Sequence, residues 1–198
     1  GTVARFVLAA LLLGKGRYRV FAEDRMYERP MAVLIDALGL VGLKCHFLKN
    51  AYCLPIVTAP GESLGVEALT LDCNESSQFL SAILMVLPYL PSLIEVKTSH
   101  QLVSQPYVRM TRQLMARFGV ETKEREGHRF SVASNTGYQC AVIEVEPDAS
   151  SASYFFTLAA ISQSTVTIKG LKPTSLQGDL KYLVVLEQMG CQVTWSVT

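Results

Sequence analysis

Three glycines, Gly42, Gly119 and Gly190, stand 71–77 residues apart, and each closes a run with helical spacing of apolar residues. Arg29-Pro30, Gln105-Pro106 and Gln177-Gly178 open those runs at matching offsets. Glycine just past a helix supplies the left-handed residue at which the chain turns away. The period is longer than that of a solenoid. Each pass reads helix, strand, helix, strand, with further strands between passes. Such units share a core by layering helices against sheets. The 198-residue chain is thereby held to a repeated α/β (α+β) architecture of about three units.

In the first pass the pattern predicts a helix over residues 4–13, broken at Gly14-Lys15-Gly16, and a strand over 17–21. A charged loop over 23–28 leads to a helix over 31–38 with Pro30 at its first turn, and then a strand over 44–48. Residues 55–59 and 64–71 read as strands split by Pro60-Gly61. In the second pass a helix over 80–87 ends at Pro88 and Pro91, and a strand follows over 93–97. An amphipathic helix spans 108–118 and stops at Gly119. Strands are predicted over 120–123, 129–133 and 141–145. The third pass has a helix over 154–161, a strand over 165–168, a helix over 180–189 and a strand over 191–195.

The first helix of each pass opens on small polar residues: Gly1-Thr2, Ser76-Ser77 and Ser150-Ser151. In the middle one, Asp72-Cys73-Asn74-Glu75-Ser76-Ser77-Gln78 runs straight into an apolar helix. Serine or asparagine at such a place caps a helix. A helix start also carries unpaired N–H groups and partial positive charge, so it can hold an anion. Capping and ligand binding both remain open at this point.

Composition narrows the classes. The chain is 49% hydrophobic and 18% charged, enough for a sizeable core. A net charge of +1 gives no ground for nucleic acid or an anionic membrane surface as partner. The five cysteines are scattered without a CxxC pair, which fits reduced thiols in the cytoplasm. The three histidines show no metal-ligand spacing with them, so no metal and no cofactor are expected. The longest apolar run is interrupted by prolines and falls short of the roughly 20 residues of a membrane span.

Six motifs stand in register along essentially the whole chain. They are Gly1-Thr2-Val3-Ala4-Arg5, Arg25-Met26-Tyr27-Glu28-Arg29-Pro30, Ser76-Ser77-Gln78-Phe79, Ser104-Gln105-Pro106-Tyr107, Asp148-Ala149-Ser150-Ser151-Ala152-Ser153-Tyr154 and Ser175-Leu176-Gln177-Gly178-Asp179. In order and spacing they resemble the 5-enolpyruvylshikimate-3-phosphate synthase family. The resemblance implies the enolpyruvyl transferase fold, an inside-out α/β barrel of repeated βαβαββ units in two domains. It implies transfer of the enolpyruvyl group of phosphoenolpyruvate to the 5-hydroxyl of shikimate 3-phosphate, on the route to chorismate and the aromatic amino acids. It also implies a cytoplasmic transferase that is monomeric as the full enzyme. Residues 1–146 then correspond to most of the shikimate-3-phosphate-binding domain, and 147–198 to an incomplete first unit of the other.

By that resemblance Ser76, Ser77, Gln78, Ser104 and Tyr107 bind shikimate 3-phosphate, and Gly1, Arg29 and Gln78 bind phosphoenolpyruvate. The guanidinium fork of Arg29 suits a carboxylate or phosphate because it pairs bidentately. Arg5 and Asp148 match positions that shape the site. Two departures stand out. Ala4-Arg5-Phe6 replaces Met-Arg-Pro, and Gln105 replaces the commoner lysine of Ser-Lys-Pro-Tyr. The family's lysine–serine segment is expected before Gly1, and its acid–base carboxylates and further arginines and lysines beyond Thr198. No residue here is therefore assigned to proton transfer. The alternatives are a ligand-binding fragment without turnover, and a relative acting on UDP-N-acetylglucosamine.

Overall fold

The computed structural model describes residues 1–99, 102 and 104–196, in two units, Gly1–Cys140 and Ala141–Thr198. His100, counted among the histidines above, lies outside the described residues, as does part of the loop ahead of Ser104.

In the first unit α1 (Thr2–Ala10) tightens into a 3-10 turn at Leu11–Leu13 and leads to β1 (Tyr18–Val20). A short 3-10 helix, Asp24–Glu28, stands where a charged loop was expected. Its turn carries Met26 into the core while the charged neighbours stay in water. The next helix, α2 (Ala32–Leu40), begins after Pro30 rather than on it. Met31 is the non-helical N-cap, with φ of −128°, and its N–H donates to Tyr52 O at 2.9 Å. β2 (Leu43–Phe47) and β3 (Ile56–Pro60) follow, and β3 lies between β1 and β2, antiparallel to both.

The second pass runs β4 (Ala68–Leu71), α3 (Gln78–Val86), β5 (Glu95–Thr98), α4 (Gln105–Arg117), β6 (Thr122–Arg125) and β7 (Arg129–Val132). Its sheet order is β4-β5-β7-β6, with β4 and β5 parallel and the other pairs antiparallel. This is a complete βαβαββ unit. The first pass repeats it from its first helix onward, since β1, β3 and β2 adjoin as β5, β7 and β6 do. The strand expected from residue 64 is paired only from Ala68, and Leu64 stays exposed.

Helix α3 sits at the middle of the core. Phe79, Leu80, Ala82, Ile83 and Leu84 cover every side of it and are all buried, against α1, α2 and α4. A helix that is apolar all round has to be surrounded in this way. Full burial of one Leu or Ile contributes about 1.5–3 kcal/mol. The buried polar Ser81 is satisfied by the Thr111 hydroxyl of α4 at 2.9 Å.

The second unit holds α5 (Ala149–Ile161), a 3-10 turn at Gly178–Leu180 and α6 (Lys181–Gln188). The strands expected over 141–145, 165–168 and 191–195 are not formed. Strand structure exists only as a ladder, and no described segment pairs with these three. Gly42, Gly119 and Gly190, which follow α2, α4 and α6, all have positive φ (109°, 82° and 96°), as the repeat requires. Among the described residues no helix is long and apolar enough to cross a membrane.

Candidate functional site

The topology of the four-stranded sheet puts the starts of α3 and α4 on one edge. β6 runs with β4 and β5, because β7 is antiparallel to both β5 and β6. The helices α3 and α4 return between these strands, so both start beyond strand carboxyl ends. That edge is where open α/β sheets hold ligands. By the same reasoning α2 starts beyond the carboxyl end of β1, since β1 and β2 both run opposite to β3.

Side chains tie the starts together. Gly1 caps α1, and a Cβ placed on it would lie 3.3 Å from Arg29 Nη1 and 3.5 Å from Arg5 Nη1. From the start of α3, Gln78 Oε1 accepts from Arg5 Nη1 at 2.7 Å, and Gln78 Nε2 donates to Thr2 Oγ1 at 2.9 Å. Ser76 Oγ accepts from Gln78 N–H at 3.2 Å. Ser77 is the buried N-cap of α3 and makes no side-chain cap bond. Ser104 takes the left-handed conformation ahead of α4 and is exposed. One turn on, Tyr107 exposes 41% of its surface. Its backbone oxygen lies 2.9 Å from the Thr111 hydroxyl that reaches Ser81 on α3.

Thus Gly1, Arg5, Arg29 and Gln78 are brought together, with Ser76 and Ser77 on the same helix start. Ser104 and Tyr107 occupy the neighbouring start. Asp148 belongs to the second unit, where it caps α5. Its carboxylate accepts from Ser150 N–H at 3.0 Å and from the Ser151 hydroxyl at 2.7 Å. The Ser151 hydrogen bond chiefly, with the Ser150 N–H beside it, holds the Asp148 pKa below the usual carboxylate value.

Helix starts in the two units differ in their side-chain partners, although α6 of the second unit also has no side-chain cap. In the second, Asp148 and Gln177 satisfy the first N–H groups of α5, the latter by accepting from Ala149 N–H at 2.7 Å. In the first, the N-cap residues of α1, α2, α3 and α4 provide no side-chain cap bond, although Ser76 Oγ takes the first N–H of α3. Such open N–H groups and their partial positive charge favour an anion. The arginines add to this field. Burial and, next, the neighbouring charge of Arg29 lower the Arg5 pKa, while Glu75 pulls it the other way. Arg5 also lies over the Phe79 ring, 5.3 Å from its centroid, and its buried Nε has no hydrogen-bond partner among the described residues. Two cations crowded at Gly1 are stabilised by any anion that enters.

Thr2, Glu75 and Phe79 are parts of this arrangement that sequence reasoning did not assign to the site. The spacing of Thr2 and Arg5 was the available signal, because residues three apart share one helix face. Beside Gly1 opens a recess of about 510 Å³, lined in part by Val20, Phe21, Glu23, Arg25 and Arg29. Another, of about 400 Å³ between α2 and β2, is lined mainly by apolar groups such as Ile35, Leu40 and Phe47.

The repeated βαβαββ unit is that of the enolpyruvyl transferase fold. The structure of EPSP synthase from Acinetobacter baumannii superposes with a TM-score of 0.68 at 22% identity, covering 96% of this chain and 41% of that one. The family model for EPSP synthase (3-phosphoshikimate 1-carboxyvinyltransferase) matches residues 1–198. The chain belongs to that family. It is 42% identical over 193 residues to 3-phosphoshikimate 1-carboxyvinyltransferase of Trichormus variabilis, covering 98% of this chain and 45% of the relative. It is 41% identical over 198 residues to the Shewanella halifaxensis protein of the same name, covering 99% and 46%. The chain therefore spans about half the length of the curated relatives it matches. Both of these curated relatives carry the name of the shikimate enzyme.

Proposed function

We propose that this chain carries the acceptor-holding share of an enolpyruvyl transferase active site. In the reaction, the 5-hydroxyl of shikimate 3-phosphate attacks C2 of phosphoenolpyruvate as a proton reaches the methylene carbon. Loss of a proton from that carbon and of phosphate from C2 restores the double bond. The first unit supplies most of the shikimate-3-phosphate-binding domain, and the second begins the other domain. Ser76, Ser77 and Ser104 hold the phosphate of shikimate 3-phosphate, and Tyr107 packs on its ring. Arg29 and the backbone of Gly1 receive phosphoenolpyruvate, and Gln78 serves both substrates. Proton transfer is assigned to none of them.

The observation that carries this reading is the meeting of Gly1, Arg5, Arg29 and Gln78 at the starts of α1 and α3. Two guanidinium groups and open N–H groups there match substrates that are both polyanions. Calorimetric titration of the purified chain tests it. Ser77→Ala should weaken shikimate 3-phosphate by about 1–2 kcal/mol, the scale of a hydrogen bond to a charged group. Arg29→Ala should leave that ligand nearly unchanged and weaken phosphoenolpyruvate, added with shikimate 3-phosphate present. Equal weakening of both ligands in Arg29→Ala would show the assignment of Arg29 to be wrong. Binding of shikimate 3-phosphate without phosphate release identifies this chain as a holding module; release above background gives it the chemistry as well.

A further inference from the structure

Gln78 is held by two groups one turn apart on α1. Thr2 and Arg5 lie on the same helix face, and the Gln78 amide spans them, its Oε1 at 2.7 Å from Arg5 Nη1 and its Nε2 at 2.9 Å from Thr2 Oγ1. A guanidinium has only donors, so the atom of the amide that faces it has to be oxygen. Nitrogen then faces Thr2, and one of its two N–H bonds is used there. The second N–H makes no other bond among the described residues. Arg5 is fixed in turn by the Phe79 ring beneath it, at 5.3 Å. Swinging it away would remove both the Gln78 hydrogen bond and the contact with the Phe79 ring.

We infer that Arg5 and Thr2 are positioning residues: they lock the Gln78 amide so that it offers an N–H, not a carbonyl, to a ligand oxyanion. An unlocked amide rotates and presents its oxygen half the time, which repels an anion. Beyond its share of the positive field at Gly1, Arg5 acts on the ligand through Gln78. The identity of that ligand as phosphoenolpyruvate rests on the function proposed above; the lock itself does not.

Two measurements separate the two ideas. The first needs no ligand. In the isotope-labelled chain, NMR should show two distinct Gln78 side-chain N–H signals with a through-space contact to the Thr2 methyl. Arg5→Ala should weaken that contact and mobilise the amide. Thr2→Val should mobilise it too, with Thr2→Ser restoring the ordered signals. An amide equally ordered in Arg5→Ala and in the unaltered chain overturns the inference. The second measurement titrates phosphoenolpyruvate in the presence of shikimate 3-phosphate. Arg5→Ala should weaken binding about tenfold in the unaltered background, the scale of one lost charge-directed hydrogen bond. It should change binding clearly less when Gln78→Ala is already present, only its share of the positive field then being lost, because the two residues otherwise act as one unit. Equal losses in both backgrounds mean that Arg5 touches the ligand itself, and overturn the inference. An ordered amide that depends on Arg5, in a chain that binds no phosphoenolpyruvate, upholds the lock and sinks the functional reading instead.

Discussion

Arg5 and Arg29 converge on a residue without a side chain, and that is what makes Gly1 matter. A Cβ at this position would come within 3.3 Å of Arg29 Nη1, tighter than ordinary van der Waals contact. The absence of a side chain leaves room for two guanidinium groups that repel each other. Asp148 shows the opposite design, a charge whose partners are all supplied from its own helix. Its removal by Asp148→Ala should cost about 1 kcal/mol, the usual value of an acidic N-cap. Because its pKa is lowered in the folded state, that stabilisation is present above the unfolded carboxylate value of roughly 4 and is lost as pH falls through the folded one. Urea unfolding of the two proteins at pH 7 and at acidic pH checks this. A stability difference that does not shrink in acid would mean that the carboxylate charge plays no part in the cap.

At the scale of elements, helix ends were easier to read than strands. The glycines after α2, α4 and α6 were visible as punctuation, and each takes the left-handed conformation. Gly119 has φ of 82°, and a Cβ on it would also meet the Gln139 side chain at 2.8 Å. Gly190 has φ of 96° with nothing within 4 Å of such a Cβ. Alanine at Gly190 should therefore cost only the backbone strain, about 1–2 kcal/mol. Alanine at Gly119 should cost at least as much, since Gln139 also has to move. Chemical unfolding of both variants measures this, and a neutral Gly119→Ala would remove conformational strain from the account. Strands were less legible, for a physical reason. Residues 165–168 alternate as well as β1 does, yet only β1 has a neighbour, β3, to complete its hydrogen bonds. Helix hydrogen bonds close within the segment, whereas strand hydrogen bonds depend on what lies alongside.

On the scale of the whole molecule, residues 141–145 carry no regular structure, and Val142 and Val145 are almost fully exposed. Glu144 in this stretch leaves 82% of its side chain in solvent. A glutamate-specific protease should cut there first and leave a first unit that still unfolds cooperatively. One competing site, Glu62, is also exposed, but its loop is tied down by Gly61 N–H to Gly42 O at 2.8 Å and Leu64 N–H to Leu40 O at 3.0 Å. First cleavage at Glu62, followed in time by products of the linker, would show those two tethers to be weaker than the geometry implies.

Local chemistry was written in the residues themselves. Glycine placement, proline placement and apolar spacing each act within a turn or two of chain, so the sequence alone determined the repeat, most helices and the polar helix starts. Only tertiary structure decided which of those starts face one another. That Gly1 meets Arg29, and that Gln78 bridges Thr2 and Arg5 from 76 and 73 residues away, depends on the packing of α1 against α3. No local rule encodes such a meeting. It follows from burying the faces of α3 among three other helices, which brings the Ser76-Ser77-Gln78 helix start beside Gly1, Arg5 and Arg29.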